Sequence, residues 1–160
     1  MNLLNSSATT FVPSGEQNES ALARVTHLGI GAHQDDLEFM AFHGIEACYQ
    51  QSDRWFGGVT CTNGAGSSRT GPYKNFSDEE MCKVRHQEQD QAAVVGDYAA
   101  MIQLNYPSHV VKDPSSSSLV TDLVAILKAT APELVYTHNP ADKHPSHVAI
   151  TASVLKAIRE

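Results

Sequence analysis

Four short apolar runs alternate with longer stretches of helical periodicity, and this alternation restricts the fold more than any other feature of the chain. Short apolar runs are typical of buried strands, and apolar residues that recur every three or four positions are typical of amphipathic helices. The predicted strands cover residues 25–32, 55–61, 99–104 and 134–137, and a helical pattern follows each of them. Strands joined by helices form parallel sheets, so we predict an α/β protein with a mostly parallel sheet and helices on both faces.

One of the predicted helices has clear start and end signals. Ser77 and Glu80 fit a capping box, in which each side chain binds the backbone amide of the other residue. Gly96 is a typical helix end, so this helix should run to about residue 95. The other predicted helices cover residues 37 to about 51, the segment after the serines at 115–118, and residues 146 to about 159.

The chain length of 160 residues suits one domain with a substantial core, but not two. Residues 1–24 are rich in Ser, Asn and Thr, and we interpret most of them as a flexible leader that packing on the domain can order in part. The expected domain covers residues 25–160. No closing strand follows the last predicted helix, so we expect either a C-terminal part that is short or missing, or a homo-oligomer in which a partner chain covers the open edge.

The charge balance argues against some classes of partner. With 18 acidic and 11 basic residues the net charge is -7, so we expect neither a nucleic acid nor an anionic membrane as partner. No apolar stretch is long enough to span a bilayer, and no signal peptide is recognisable. The three cysteines are widely spaced, which argues against a disulfide framework. We therefore expect a cytoplasmic protein.

Two polar segments directly follow the first and the last predicted strand. Residues 33–38 read His-Gln-Asp-Asp-Leu-Glu, and residues 138–147 contain three histidines and an aspartate. In open parallel sheets, ligands bind beyond the carboxyl ends of the strands. The two segments would therefore meet in one site if the first and fourth predicted strands are neighbours.

These residue types are suited to metal-assisted hydrolysis. Two imidazoles, one carboxylate and an open water position form an established catalytic zinc site, and the same ligands also suit other divalent ions. A bound metal acidifies water and polarises a carbonyl oxygen, and a further carboxylate and imidazole can then act as base and acid. Each segment alone is explained equally well as an ordinary helix start, and their combination favours a metal site.

The two segments resemble the signatures of the PIG-L/LmbE-like zinc-dependent de-N-acetylases. Residues 32–38, Ala-His-Gln-Asp-Asp-Leu-Glu, are similar to the first signature, Ala-His-Pro-Asp-Asp-x-Glu, and residues 138–147 are similar to the second. Residues 62–66, Thr-Asn-Gly-Ala-Gly, resemble the glycine-rich loop of the family, and residues 85–88 resemble its Arg-x-x-Glu. The resemblance covers residues 25–160.

The resemblance implies a Rossmann-like fold and an enzyme that removes the N-acetyl group of an N-acetylglucosamine-type amino sugar, with metal-bound water attacking the amide carbonyl. By position, it implies that His33, Asp36 and His147 bind Zn²⁺ or another divalent ion. It also implies that Asp35 is the base and His144 the acid or electrophile. The residues expected to bind the sugar or to support the site from behind are Arg85, Asp142, Glu38 and His138.

Departures from the family pattern leave alternatives. Gln34 stands where the family has Pro, and Ser146 where it has Asp. The alternative functions are an amidase for larger amino-sugar conjugates, a member that binds metal with little turnover, and a receiver-type signalling domain with an acidic pair at a strand end. For Arg85, an ordinary ion pair with Glu88 three residues further along a helix is an alternative to sugar binding.

Overall fold

The computed structural model describes residues 1–160 and contains a five-stranded sheet between two layers of helices. The strands are β1 (Thr9–Phe11), β2 (His27–Gly31), β3 (Phe56–Thr62), β4 (Ala100–Tyr106) and β5 (Leu134–Thr137). The helices are α1 (Asn18–Ala23), α2 (Asp36–Met40), α3 (Phe42–Cys48), α4 (Asp78–Val95), α5 (Ser108–Val111), α6 (Ser118–Thr130) and α7 (Pro145–Ile158), with a 3₁₀ turn at Gly71–Tyr73. None of the helices is both long and apolar enough to cross a membrane.

The strand order across the sheet is β1-β4-β3-β2-β5. Strands β2 to β5 are parallel, and β1 runs antiparallel to β4 at one edge. The predicted α/β fold with a mostly parallel sheet is therefore confirmed. Because β2 and β5 are neighbours, with Ile30 opposite Thr137, the polar segments that follow them leave the sheet side by side.

Side chains that alternate along the central strands form two apolar layers. On one face, Ile30 and Val59 pack in a cluster with buried residues of α6 and α7. On the other face, Phe56 and Met101 pack in a cluster with residues of α2, α3 and α4. Glycine in β3 is needed for this second layer, because a Cβ atom on Gly58 would lie 2.7 Å from the sulfur of Met101.

The predicted helix over residues 37–51 is in fact two helices. It is interrupted at Ala41, whose φ of -116° and ψ of 13° lie outside the helical region. Two of its large apolar residues, Phe39 and Phe42, are 84% and 58% exposed. The buried face consists of Leu37, Ala41, Ile45 and Cys48. A break between two helices that share this face leaves the spacing of buried residues unchanged, so periodicity does not reveal it.

Two short elements within residues 1–24, which we interpreted mostly as a flexible leader, pack on the domain. Strand β1 pairs with β4, and α1 buries Ala21 and Leu22 in the larger apolar cluster. Both elements are short, so they lack the periodicity by which longer elements are recognised. Contacts with residues that are distant in the sequence hold them in place.

Buried Asp122 anchors the start of the chain and provides a test of this arrangement. Its carboxylate accepts hydrogen bonds from the backbone amides of Leu4 and Asn5, at 2.6 and 3.3 Å, and from the Tyr106 hydroxyl at 2.7 Å. Asp122→Ala leaves these donors without an acceptor, so we expect the free energy of unfolding in urea to fall by about 1–3 kcal/mol. The exposed neighbour Thr121 serves as control, and Thr121→Ala should change the free energy of unfolding by less than about 0.5 kcal/mol. Equal losses in the two variants would contradict the anchoring role.

Candidate active site

Three side chains from the two polar segments converge beyond the ends of β2 and β5. His33 and Asp36 follow β2, and His147 lies in the first turn of α7. His33 Nδ1 lies 3.2 Å from Asp36 Oδ2 and 3.3 Å from His147 Nε2. His147 Nε2 lies 3.4 Å from Asp36 Oδ1. We refer to these three residues as the His-Asp-His cluster.

The His-Asp-His cluster fits the donor set of a divalent metal. Zinc bonds of about 2.0–2.1 Å in a tetrahedron place neighbouring ligand atoms about 3.3–3.4 Å apart, and the distances from His147 Nε2 to His33 Nδ1 and to Asp36 Oδ1 have this size. Two imidazoles and a carboxylate also match the ligands of catalytic zinc sites. The cluster therefore has the composition and the spacing needed to hold such an ion.

Asp142 orients His147. Its Oδ2 lies 3.1 Å from His147 Nδ1, and its Oδ1 accepts a hydrogen bond of 2.8 Å from the backbone amide of His144. These hydrogen bonds, the His144 amide first and the His147 ring second, lower the pKa of Asp142 below its ordinary value. The carboxylate therefore holds the His147 proton on Nδ1 and leaves the lone pair of Nε2 facing the cluster. Asp142 is among the residues expected to bind the sugar or to support the site, and in the structure its side chain contacts the ring of His147.

His138 lies behind the cluster and is almost completely buried. Its ring stacks on His147 with 3.9 Å between centroids, and its Nε2 lies 3.4 Å from Asp36 Oδ2. The same nitrogen accepts a hydrogen bond of 2.9 Å from the Ala32 amide, so its lone pair is already engaged. Burial alone would raise the pKa of Asp36, but the neighbouring His138 and His33 rings and the hydrogen bond from the His33 amide outweigh it and hold this pKa well below its usual range.

Asp35 lies beside the cluster with an exposed carboxylate. Its Oδ2 accepts a hydrogen bond of 2.8 Å from Arg85, whose same nitrogen donates to the Gln34 carbonyl at 2.6 Å. Arg85 also forms the ion pair with Glu88 that we named as the alternative to sugar binding. In this structure Arg85 therefore contacts acidic groups of the protein and holds the carboxylate of Asp35.

His144 is the N-cap residue of α7, and its ring approaches two members of the cluster. The ring centroid lies 4.8 Å from that of His33 and 4.6 Å from that of His147. Its Nδ1 accepts a hydrogen bond of 3.3 Å from the Ser146 amide, which places the proton of the neutral ring on Nε2. Partial burial and the nearby rings of His33 and His147 lower the pKa of His144 from its ordinary value.

The model of the GlcNAc-PI de-N-acetylase family, PIG-L, matches residues 28–158. The chain belongs to the PIG-L family. This membership confirms the resemblance seen in the sequence, and it covers both polar segments. No curated protein matches the chain significantly.

Solved structures that share the fold of this PIG-L family protein carry different functions. N,N'-diacetylchitobiose deacetylase from Pyrococcus horikoshii is 21% identical with a TM-score of 0.73, and the match covers 92% of this chain and 54% of that one. The A40926 pseudoaglycone deacetylase Dbv21 is 19% identical, with a TM-score of 0.65 and coverages of 85% and 60%. GalB, the 4-carboxy-2-hydroxymuconate hydratase of Pseudomonas putida, is 17% identical, with a TM-score of 0.64 and coverages of 83% and 55%. The chain thus spans little more than half the length of these structures, and the likeness establishes the fold.

A cavity of about 610 Å³ opens beside the cluster of this PIG-L family protein. The glycine-bearing loop after β3 forms one wall, and Gly64 of this loop lies against α4 with a φ of +76°. A Cβ atom at Gly64 would lie 2.8 Å from the Cβ of Arg85, so this close approach requires glycine. Lining residues that the sequence did not indicate include Ser108 and Lys112.

Glu38 does not line this cavity. It accepts hydrogen bonds from Gln89 and Tyr98, two residues that the sequence did not point to. Its Oε1 accepts hydrogen bonds from Gln89 at 2.9 Å and from the Tyr98 hydroxyl at 2.7 Å. Gln89 is 1% exposed and also binds the backbone of Asp35. One signal was available, because Gln89 follows Arg85 by four residues and therefore lies on the same face of a helix.

Proposed function

We propose that this PIG-L family protein is a metal-dependent hydrolase, with zinc as the expected ion, that removes the N-acetyl group from an N-acetylglucosamine-type amino sugar. One observation carries the proposal. The His-Asp-His cluster, with 3.2–3.4 Å between its ligand atoms, lies next to a free carboxylate, Asp35, and an accessible imidazole, His144, and the latter two residues line one cavity.

The cluster is the part of the site that would hold the ion. When bound, a divalent ion would lower the pKa of a coordinated water towards roughly 7 and polarise the acetyl carbonyl. Asp142 supports the binding by keeping the His147 lone pair available, and the His33 amide supports it by donating to Asp36 Oδ2 at 2.6 Å.

Asp35 is suited to take the proton of the attacking water. Arg85 binds its Oδ2, so the carboxylate is held in place while Oδ1 has no partner in the protein. A carboxylate with one oxygen anchored and one free can accept a proton at a defined position, which is the requirement for a general base. We therefore assign the base to Asp35 and its orientation to Arg85.

His144 is suited to the role of electrophile at the carbonyl oxygen. Its Nδ1 is engaged by the Ser146 amide, so the proton of the ring lies on Nε2. From there it can donate a hydrogen bond to the negative charge that develops on the carbonyl oxygen, and Asp35, which has taken the proton of the water, can return that proton to the nitrogen that leaves. The net reaction adds one water across the amide and gives acetate and a free amine.

The test is a substrate panel with metal removal. We expect the purified protein to release acetate and free amine in equal amounts from N-acetylglucosamine, its β-linked dimer or their conjugates. Dialysis against a chelator should abolish this release, and added zinc should restore it. The cluster supplies only the ligands of the ion, and none of its side chains can activate water and polarise the carbonyl in place of the ion. Release of only longer acyl chains would instead identify an amidase. Amine release that survives chelation would contradict the proposal.

A further inference from the structure

We infer that Gln89 is a positioning residue that, with Glu38 and Tyr98, holds the backbone of Asp35 in a left-handed conformation from which its carboxylate reaches the site. The inference rests on the proposed function where it treats Asp35 as the base. The three residues form one chain of hydrogen bonds that runs from the core to the Asp35 amide. We refer to it as the Gln89 relay.

The backbone of Asp35 needs such support. Its φ of 79° and ψ of -18° lie in the left-handed region, which residues with a Cβ atom rarely adopt. Asp35 is the N-cap residue of α2, but its side chain makes no capping hydrogen bond, and α2 itself has only five residues. Conformations of this kind persist where the surroundings determine them. The Gln89 side chain supplies this constraint, because its Oε1 accepts the Asp35 amide at 2.9 Å.

The direction of the relay is determined by Glu38. Gln89 Nε2 and the Tyr98 hydroxyl both donate to Glu38 Oε1, so the amino group of Gln89 must face Glu38 and its carbonyl oxygen must face Asp35. Gln89 and Tyr98 are 1% and 2% exposed, so water does not compete for these bonds. Burial, followed by the charge of Glu38, raises the pKa of Tyr98, which keeps its hydroxyl protonated as a donor.

The Gln89 relay positions Asp35, whereas other contacts position the proposed metal ligands. Helix α4 binds the carboxylate of Asp35 through Arg85 and its backbone amide through Gln89, one turn later. Asp36 and His147 are held by the His33 amide and by Asp142. Loss of the Gln89 relay should therefore displace the base while the metal stays bound.

An exchange of the two side chains tests this inference. Gln89→Glu places two carboxylates against each other, so we expect kcat to fall by a factor of about 10–100, with KM and bound metal changed less than about twofold. In Glu38→Gln/Gln89→Glu the introduced amide can donate to the introduced carboxylate, which can still accept the Asp35 amide. The exchange should recover kcat to within about threefold of the wild type. Gln87→Glu, an exposed site on the same helix, is the control for the added charge.

A second measurement does not depend on turnover. The Asp35 amide, observed by NMR, should exchange with deuterium at least about tenfold faster in Gln89→Glu and return towards the wild-type rate in the exchanged variant. Tyr98→Phe removes one hydroxyl and should accelerate the exchange of the Asp35 amide by a smaller factor. This variant replaces Gln89→Glu in the measurement if Gln89→Glu does not fold. If the wild type deacetylates nothing but its Asp35 amide is protected and loses this protection in Gln89→Glu, only the proposed function is overturned. An unchanged amide and kcat in Gln89→Glu, an exchanged variant no better than the single one, or loss of metal would overturn the Gln89 relay.

Discussion

Asp35→Asn is expected to lower kcat by a factor of about 100 to 10,000, the usual contribution of a general base. The amide side chain keeps the size of the carboxylate and can still accept the hydrogen bond from Arg85, but its oxygen cannot take a proton from water at neutral pH. Asp35 is outside the His-Asp-His cluster, so the amount of bound metal should stay at the wild-type level. Initial rates of acetate release and metal analysis of the same preparation measure both quantities.

The control for Asp35→Asn is the same change at an exposed aspartate far from the cavity. Asp53→Asn removes one negative charge from a side chain that is 75% exposed, and its kcat should equal that of the wild type. Undiminished turnover in Asp35→Asn would exclude this residue as the base. A parallel loss of metal would instead show that Asp35 serves the binding of the ion.

His33→Ala/His147→Ala is expected to abolish metal binding and, with it, all turnover. The double change removes both imidazoles of the cluster and leaves one carboxylate, which is too few ligands for a protein zinc site. In the wild type, zinc at about 100 times its dissociation constant should stabilise the fold by about 2.7 kcal/mol, and this gain should be absent from the variant. Metal content by mass spectrometry and thermal unfolding with and without zinc provide the two measurements.

Two exposed histidines provide the matched control for this variant. His43→Ala/His109→Ala removes the same number of imidazoles from outside the cluster, and it should retain the metal and the zinc-dependent stabilisation. If His33→Ala/His147→Ala still carried zinc at the wild-type level, the assignment of the ligands would be refuted. The comparison also separates binding at the cluster from adventitious binding to surface histidines.

The parts of the fold that were predicted are those specified by neighbouring residues. The hydrogen bonds of the capping box are present, from the Ser77 amide to Glu80 at 2.8 Å and from the Glu80 amide to Ser77 at 3.2 Å, and α4 ends before Gly96. The four parallel strands were found because buried strands are continuous apolar runs. The parts that were missed depend on distant partners. Strand β1 exists through β4, and the break at Ala41 leaves the pattern of buried residues unchanged.

The candidate site divides in the same way. The motif residues could be named because two short segments carry the types of side chain that bind metal and transfer protons. The contacts that hold Asp35 could not, because they join residues fifty or more positions apart. Arg85 beside Asp35 and Gln89 beneath it are of this kind. An exposed ion pair with Glu88 was equally consistent with the sequence, and the structure contains both contacts of Arg85.

The sequence by itself determined the α/β class, the helix boundaries that depend on capping, and the two segments whose residues we propose as a hydrolytic metal site, because periodicity and residue chemistry are local properties. The tertiary structure decided that β2 and β5 are neighbours, which brings His33 and His147 to 3.3 Å. It also decided that Asp142 serves His147 and that the Gln89 side chain binds the backbone of Asp35. The physical reason is that a hydrogen bond depends on positions in space, and only the packing of the helices on the sheet brings these groups within reach of one another.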